Sequence, residues 1–255
     1  YYVRKANLML HRIETKMKNT LTTEQYNHWT GIARFYRALE YSRLVATFGD
    51  VPYFNQYLTE NDTVEIYKDR TPREVVMDSV SADFEYAIAN VRLSDGAMNI
   101  NKHVVAAFAS RWLLFEGTWQ KYHKNNETLS KKFLDKAIAA ANVVIASNAY
   151  ACDRDFRTLF GSENLAGVKE CIMYRHYSAT QTITHAIASY SNCTESQATA
   201  PNLALVRAFI CNDGRPWQNS TVLAADSFNI ANLIKTRDPR FEATFWNTQI
   251  GRAHV

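Results

Sequence analysis

An all-α fold built from paired helices is what this 255-residue sequence predicts. Three observations carry the prediction. Apolar residues recur at intervals of three and four along residues 26–48, 75–91, 102–122 and 130–147, the period of a helix with one buried face. Several of these runs begin at capping signals, and the longest ends at a glycine followed by a proline. Glycine and proline are scarce, with 8 and 5 residues in the whole chain, which argues against a turn-dense β fold.

The first helix is expected over residues 3–18, with Val3, Leu8, Leu10, Ile13 and Met17 on its apolar face and a basic face toward solvent. Thr22 then caps a helix of about 24 residues, with Gln25 reaching back to complete a capping box. Tyr26, Trp29, Ile32, Ala33, Tyr36, Leu39, Tyr41, Leu44 and Phe48 form its stripe, and Trp29 is expected to pack in the core. The helix stops at Phe48-Gly-Asp-Val-Pro52, where Gly49 is expected to form a left-handed C-cap and Pro52 prevents resumption. This stop aims the chain into a polar loop over residues 53–70, and a structural role is expected for it.

Thr71-Pro-Arg-Glu74 reads as a second capping box with proline at the first helical position. Val75, Val76, Val80, Phe84, Ala87, Ile88 and Val91 make the buried face that follows. Asn101 caps a third strong helix, 102–122, whose small residues Ala106, Ala107, Ala109, Ser110 and Gly117 allow a neighbour to approach closely. That neighbour is the run 130–147, burying Phe133, Leu134, Ala137, Ile138, Ala141, Val144 and Ile145. Trp112, Leu113, Phe115, Gly117 and Trp119, followed by Ala137, Ala141 and Val144, resemble a tetratricopeptide helix pair.

After residue 150 the texture changes. Residues 151–201 are rich in Ser, Thr, Asn and Ala, and no long period holds; a structureless stretch of that length in a compact domain is usually functional. A short helix follows at Asn202–Cys211, ending at Asn212-Asp-Gly214. Arg237-Asp-Pro-Arg240 offers one more helix start, with Asp238 as cap and two arginines tying carbonyls or carboxylates.

Composition excludes several functions. A net charge of +4, with both signs scattered, is too mild for a nucleic-acid binder. No apolar run reaches the roughly 18–20 residues that span a bilayer. Cys152, Cys171, Cys193 and Cys211 contain no Cys-x-x-Cys pair, so they fit isolated thiols better than a zinc ribbon or redox couple. His176 and His185 have no acidic third ligand placed beside them, and no nucleophile elbow, phosphate loop or metalloprotease motif occurs. The sequence therefore predicts neither an enzyme nor a cofactor.

Several separated motifs resemble the SusD/RagB family of glycan-binding outer-membrane lipoproteins. They are, in order, Arg4-Lys-Ala-Asn7; Ala33 to Tyr41 running into Phe48-Gly-Asp-Val-Pro52; the Thr71-Pro-Arg-Glu-Val75 helix with Asp83 and Ala87; the Ala/Trp/Leu-rich helix 104–119; Leu205-Val-Arg-Ala-Phe209 with Asn212-Asp-Gly-Arg-Pro216; and Arg237-Asp-Pro-Arg240. Tyr53 stands where the family usually has leucine. The resemblance implies tetratricopeptide-like helix pairs with a loop-rich insert: a helical scaffold over 1–150 and a ligand-facing region of the same domain over 151–249.

It further implies a cell-surface protein, lipid-anchored at the outer membrane through an N-terminal cysteine outside these residues. Such a protein captures oligosaccharides and delivers them to a SusC-like TonB-dependent transporter. RagB-like members carry peptides instead. An intracellular helical-repeat scaffold is the other reading, although no 34-residue period supports it. Family members are about twice this long, so an interior fragment is expected, and Ile250-Gly-Arg-Ala-His-Val255 reads as a non-native tail of adaptor origin.

Sugar recognition uses aromatic faces against ring C–H groups, with amides and hydroxyls for the ring oxygens. The loop region supplies such groups in Tyr174, His176, Tyr177, Gln181, Tyr190 and Asn192, which are the expected ligand-binding residues.

Overall fold

The computed structural model describes residues 1–96, 98–178, 180–184 and 201–245. It divides into two compact units, the first formed by Tyr1–Cys152 with Val168–Tyr174 and the second by Asp153–Gly167 with the residues from Arg175 onward. Among the described residues there are helices and isolated bridges but no strands.

In the first unit the helices are α1 (Tyr2–Arg12), α2 (Thr23–Phe48), α3 (Thr63–Ile66), α4 (Arg73–Asn90), α5 (Lys102–Tyr122) and α6 (Glu127–Ile145), with a π-helical turn over Ile13–Met17 after α1. Packing follows chain order: α1 on α2, α2 on α4, α4 on α5, α5 on α6. One apolar core runs through them, centred on Phe35, Tyr41, Met77, Phe84, Leu113 and Phe133. Two glycines allow the helices to approach. A Cβ on Gly31 would meet Val91 at 2.8 Å, and one on Gly117 would meet the Leu134 side chain at 2.7 Å and its amide nitrogen at 3.1 Å.

The caps of α2 and α5 form as the sequence predicts. Thr22 Oγ1 accepts from the Gln25 amide at 3.2 Å, and Gln25 Oε1 accepts from the Thr22 amide at 3.0 Å. Asn101 Oδ1 accepts from the Val104 amide at 3.0 Å. The Thr71 box does not form. Thr71 is extended, exchanging backbone bonds with Val51 at 3.0 and 3.3 Å, and α4 starts later with no side-chain cap from its own N-terminus. Instead Asp50 Oδ1 accepts from the Arg73 amide at 2.9 Å, so the turn that ends α2 also caps α4. Gly49 has the expected positive φ of 73°, but its ψ of −116° lies outside the left-handed helical basin. It sends the chain directly into the extended Val51 pairing, a geometry that favours glycine.

Burial corrects three of the stripes. Trp29, expected in the core, is 40% exposed, and Val75 on α4 is 49% exposed while Met77 takes the buried place. On α6 the buried phase is Phe133, Ala137 and Ala140, leaving Ile138 and Ile145 exposed. The apolar residues of α6 span a wide arc, and against close-packed α5 only one narrow row of them fits. The segment 53–70, expected to be loop alone, contains the one-turn α3.

Two charged pairs sit inside this helical core. Arg37 donates to both Asp83 oxygens, Nε to Oδ2 at 2.7 Å and Nη2 to Oδ1 at 2.8 Å. Arg73 makes a similar fork with Glu116, at 2.6–3.0 Å, and its Nη1 donates to the Val45 carbonyl at 3.2 Å. Gln120 completes the second cluster by donating to Glu116 Oε1 at 2.8 Å. These pairs join α2 to α4 and α4 to α5.

The second unit contains α7 (Phe156–Phe160), α8 (Leu203–Ala208), α9 (Ile230–Thr236) and α10 (Arg240–Thr244). Asn202 caps α8 through the Leu205 amide at 2.8 Å. Its organising group is the buried Arg237, which donates to the Ala225 carbonyl at 2.6 Å, Thr236 Oγ1 at 2.9 Å and Cys211 Sγ at 3.3 Å. Asp238 accepts from the Arg240 amide at 3.0 Å and from its guanidinium, from one position ahead of the Pro239 N-cap. Cys152 is exposed, Cys171 half-buried and Cys211 buried, all as free thiols. Cys193 and Trp246 lie outside the described residues.

Two expectations follow from this packing. Gly117→Ala should lower stability by about 1–3 kcal/mol, because the added methyl enters Leu134 of α6; urea unfolding with an unchanged slope checks it. The second concerns His28, whose Nδ1 accepts from the Arg92 amide at 3.2 Å. Burial first, then the Arg92 guanidinium, hold His28 below its ordinary 6.5, against the pull of Asp95 and Glu24. The unfolded chain therefore takes up this proton at a higher pH than the folded chain does. Stability should fall as pH drops through the unfolded value of 6.5. In His28→Gln the decline in thermal midpoint from about pH 7 to about pH 5 should be shallower.

Candidate functional site

The main cleft of the first unit has a volume of about 630 Å³ and opens where α1, α2 and residues 51–66 meet. That size suits a ligand of a few sugar or amino-acid units. Its walls are apolar side chains: Leu44 from α2, then Val51, Pro52, Phe54, Leu58 and Ile66. The Phe48-Gly-Asp-Val-Pro52 turn is thus more than a helix stop, because its last two residues line the cleft.

The wall is held from behind by groups in the apolar phases of α1 and α2. Asn7 Nδ2 donates to the Phe54 carbonyl at 2.9 Å and the Gln56 carbonyl at 3.0 Å. Asn7 Oδ1 accepts from Arg37 Nη1 at 3.0 Å, and the same nitrogen donates to the Asn55 carbonyl at 2.9 Å. Tyr41 Oη accepts from the Phe54 amide at 2.6 Å and lies 3.3 Å from the Phe54 carbonyl, to which it donates. Burial pushes the Tyr41 phenol well above its ordinary value, so it stays neutral. Burial opposes the Arg37 charge, but the Asp83 carboxylate outweighs it and holds the guanidinium above its usual range. The Phe54 amide and the carbonyls of residues 54–56 are therefore engaged by these groups, and Phe54 itself lines the cleft.

At the mouth, Arg4 Nη2 donates to Tyr57 Oη at 3.0 Å, with its guanidinium 4.9 Å from the Tyr57 ring centre. His11 stacks on the same ring at 5.5 Å. Lys68 lies 4.9 Å from the Phe54 ring centre and pairs with Glu65 at 3.1 Å. Glu60 is the one carboxylate among the described lining residues. Hydrolysis of a glycosidic bond ordinarily uses two carboxyl groups, which this cleft does not bring together. Among the described residues no cluster of His, Cys, Asp and Glu could hold a metal ion.

The expected ligand residues of the loop region are placed differently. Tyr174 is half-buried at the end of the first unit, whereas His176, Tyr177 and Gln181 are exposed in the second. There Ser178 and Ile183 form an antiparallel bridge, with backbone bonds of 2.8 and 3.0 Å, and Gln181 sits in the turn between them. Tyr177 enters this turn 41% exposed, with the Arg175 guanidinium 5.2 Å from its ring centre. Tyr190 and Asn192, like His185, lie outside the described residues. Arg4, Asn7, Tyr41 and Phe54 are functional candidates that periodicity alone did not nominate. A polar Asn7 and a Tyr41 in otherwise apolar rows were the available signal.

Residues 1–114 match the SusD-like family described as "Starch-binding associating with outer membrane". The chain is similar to SusD-like proteins over this stretch. It is 28% identical over 144 residues to the SusD-like protein P2 of Formosa agariphila, covering 54% of this chain and 25% of that protein. The fold is similar to that of a SusD-like protein from Bacteroides fragilis, with a TM-score of 0.65 and 22% identity over 94% of this chain and 47% of that one. It is also similar to a SusD-like carbohydrate binding protein from the same species, with a TM-score of 0.69 and 20% identity over 96% of this chain and 44% of that one. The chain thus spans a quarter of the curated relative and under half of these two solved structures. The likeness in fold to these structures agrees with the all-α helix pairs described above. No helix among the described residues is long and apolar enough to cross a membrane.

The geometry behind the cleft gives one expectation. Tyr41→Phe removes the acceptor of the Phe54 amide, and a buried unpaired donor costs about 1–3 kcal/mol. Thermal or urea unfolding should show that loss without a change in helical content.

Proposed function

We propose that this chain belongs to a cell-surface protein that captures oligosaccharides by binding alone and delivers them to a SusC-like TonB-dependent transporter. The protein is anchored at the outer membrane through a lipidated N-terminal cysteine that lies outside these residues. The observation that carries the reading is the cleft of the first unit: a preformed, apolar-walled cavity with an aromatic ring and hydrogen-bonding groups, and one carboxylate among its lining residues. Such a lining suits the C–H face of a sugar ring and its hydroxyls. The SusD-like carbohydrate binding protein of Bacteroides fragilis supports the same assignment by its fold and name.

Two ligand surfaces are assigned, one in each unit. The cleft is the first. The second is the loop surface bearing His176, Tyr177 and Gln181, with Tyr190 and Asn192 following in sequence. Tyr174, at the end of the first unit, is included with these loop residues. The reaction class is none: the ligand leaves chemically unchanged, and no cofactor takes part.

Binding is tested by calorimetry with a panel of oligosaccharides and, for a RagB-like role, peptides of similar length. Oligosaccharides should bind at micromolar affinity or weaker. Replacing Tyr174, Tyr177 and Tyr190 together with alanine should weaken binding while the far-ultraviolet dichroism stays unchanged. Peptide binding without oligosaccharide binding, or turnover of any sugar, overturns the proposal; unchanged affinity in the triple variant removes the loop surface from it.

A further inference from the structure

Arg4 is the feature of the cleft that a neutral sugar does not explain. Its guanidinium is fixed by Tyr57 in two ways, by the 3.0 Å bond to the phenol oxygen and by lying 4.9 Å from the ring centre. Only one of its five N–H groups is used by that bond, and Arg4 makes no ion pair among the described residues. An arginine held this way loses little further freedom on binding, and its planar fork matches an oxyanion.

The surroundings favour the same charge. Lys5 lies 4.3 Å from the ring centre of Tyr1 and has no carboxylate partner among the described residues. His11 stacks on Tyr57, and Arg12 and Lys16 follow on the exposed side of this segment without acidic partners among the described residues. Of the acids nearby, Glu65 pairs with Lys68, whereas Asp62, which accepts from the Thr59 amide and hydroxyl at 2.7 and 2.8 Å, stays ionised. Glu60 is the opposing charge that lines the cleft; it and Arg4 are both exposed to water, which screens the one from the other. Leu44, Pro52 and Phe54 thus supply apolar surface to the same cleft that a preorganised cation lines.

We infer that this cleft takes a pyranose unit bearing an anionic substituent, a carboxylate or a sulfate, with its apolar face on Phe54 and its oxyanion on Arg4. The inference rests on the glycan-binding reading and narrows it to acidic oligosaccharides. A uronate and a sulfated sugar share the chemistry that Arg4 recognises. A free carboxylate or sulfate without the ring lacks the apolar half of the contact.

The test is calorimetry of the full chain with three oligosaccharide sets of equal length: oligogalacturonate, a sulfated galactan fragment and a neutral galactan fragment. One charged set should bind more tightly than the neutral set, and the preference should shrink as salt is raised. In Arg4→Gln the ratio of charged to neutral affinity should fall roughly 10- to 100-fold. Arg4→Lys should keep part of that preference, since it retains the charge and loses the fork. Which charged set responds tells carboxylate from sulfate. Neutral fragments binding as tightly as both charged sets, or a charged preference that survives Arg4→Gln, overturns the inference and leaves glycan capture standing. Failure of all three sets to bind overturns both.

Discussion

The buried Arg37–Asp83 pair is the constraint on which the first unit depends. Its two parallel bonds join α2 to α4, and the remaining Arg37 nitrogen reaches Asn7 of α1 and the Asn55 carbonyl of the cleft wall. One guanidinium therefore orients three helices and a loop. Such a pair contributes little net stability over apolar packing, because two charges have been taken out of water. It contributes geometry. A fork accepts only a narrow range of approach, so α1, α2 and α4 are held in the register that places Phe54 at the cleft. Arg73 and Glu116 repeat the arrangement one helix further along. There the Phe-Gly-Asp-Val-Pro turn joins in, since Asp50 caps the helix that carries Arg73.

The parts of the fold that depend on neighbouring residues were legible in the sequence. The Thr22–Gln25 box and the Asn101 cap bring together groups three residues apart, and no tertiary partner competes for them. Where a distant segment competes, local rules mislead. Thr71 has the right neighbours for a cap, but Val51 draws it into an extended bridge and Asp50 supplies the cap from 23 residues away. The apolar row on α6 was similarly ambiguous. Ile138 and Ile145 fit the helical period as well as Ala140 does, yet it is the small residue that is buried and the two isoleucines that are exposed.

The site was less legible than the scaffold. Tyrosines in the loop region announce themselves by composition, whereas Asn7 and Asp83 look like interruptions of apolar rows and Tyr41 passes as one more member of its row. A polar residue in such a row must find partners inside the protein: loop backbone for Asn7 and Tyr41, and for Asp83 the Arg37 guanidinium that also reaches that loop. That loop is the cleft wall. Binding architecture is thus encoded here as buried polar groups on helices, with the ligand-facing residues carried on the segment they fix. The same logic separates fold from function, because the scaffold can keep its buried network while Arg4, Phe54 and the loop tyrosines change the ligand.

Amide hydrogen exchange in Asn7→Ala tests this account most directly. Losing the Asn7 amide group frees the Phe54 and Gln56 carbonyls and one Arg37 contact, while the α5–α6 pair keeps all of its own contacts. The account expects faster exchange confined to α1 and residues 51–60, with α5 and α6 as protected as in the native chain. Native protection across residues 51–60 would contradict it, because the cleft wall would then be held by something other than this buried network.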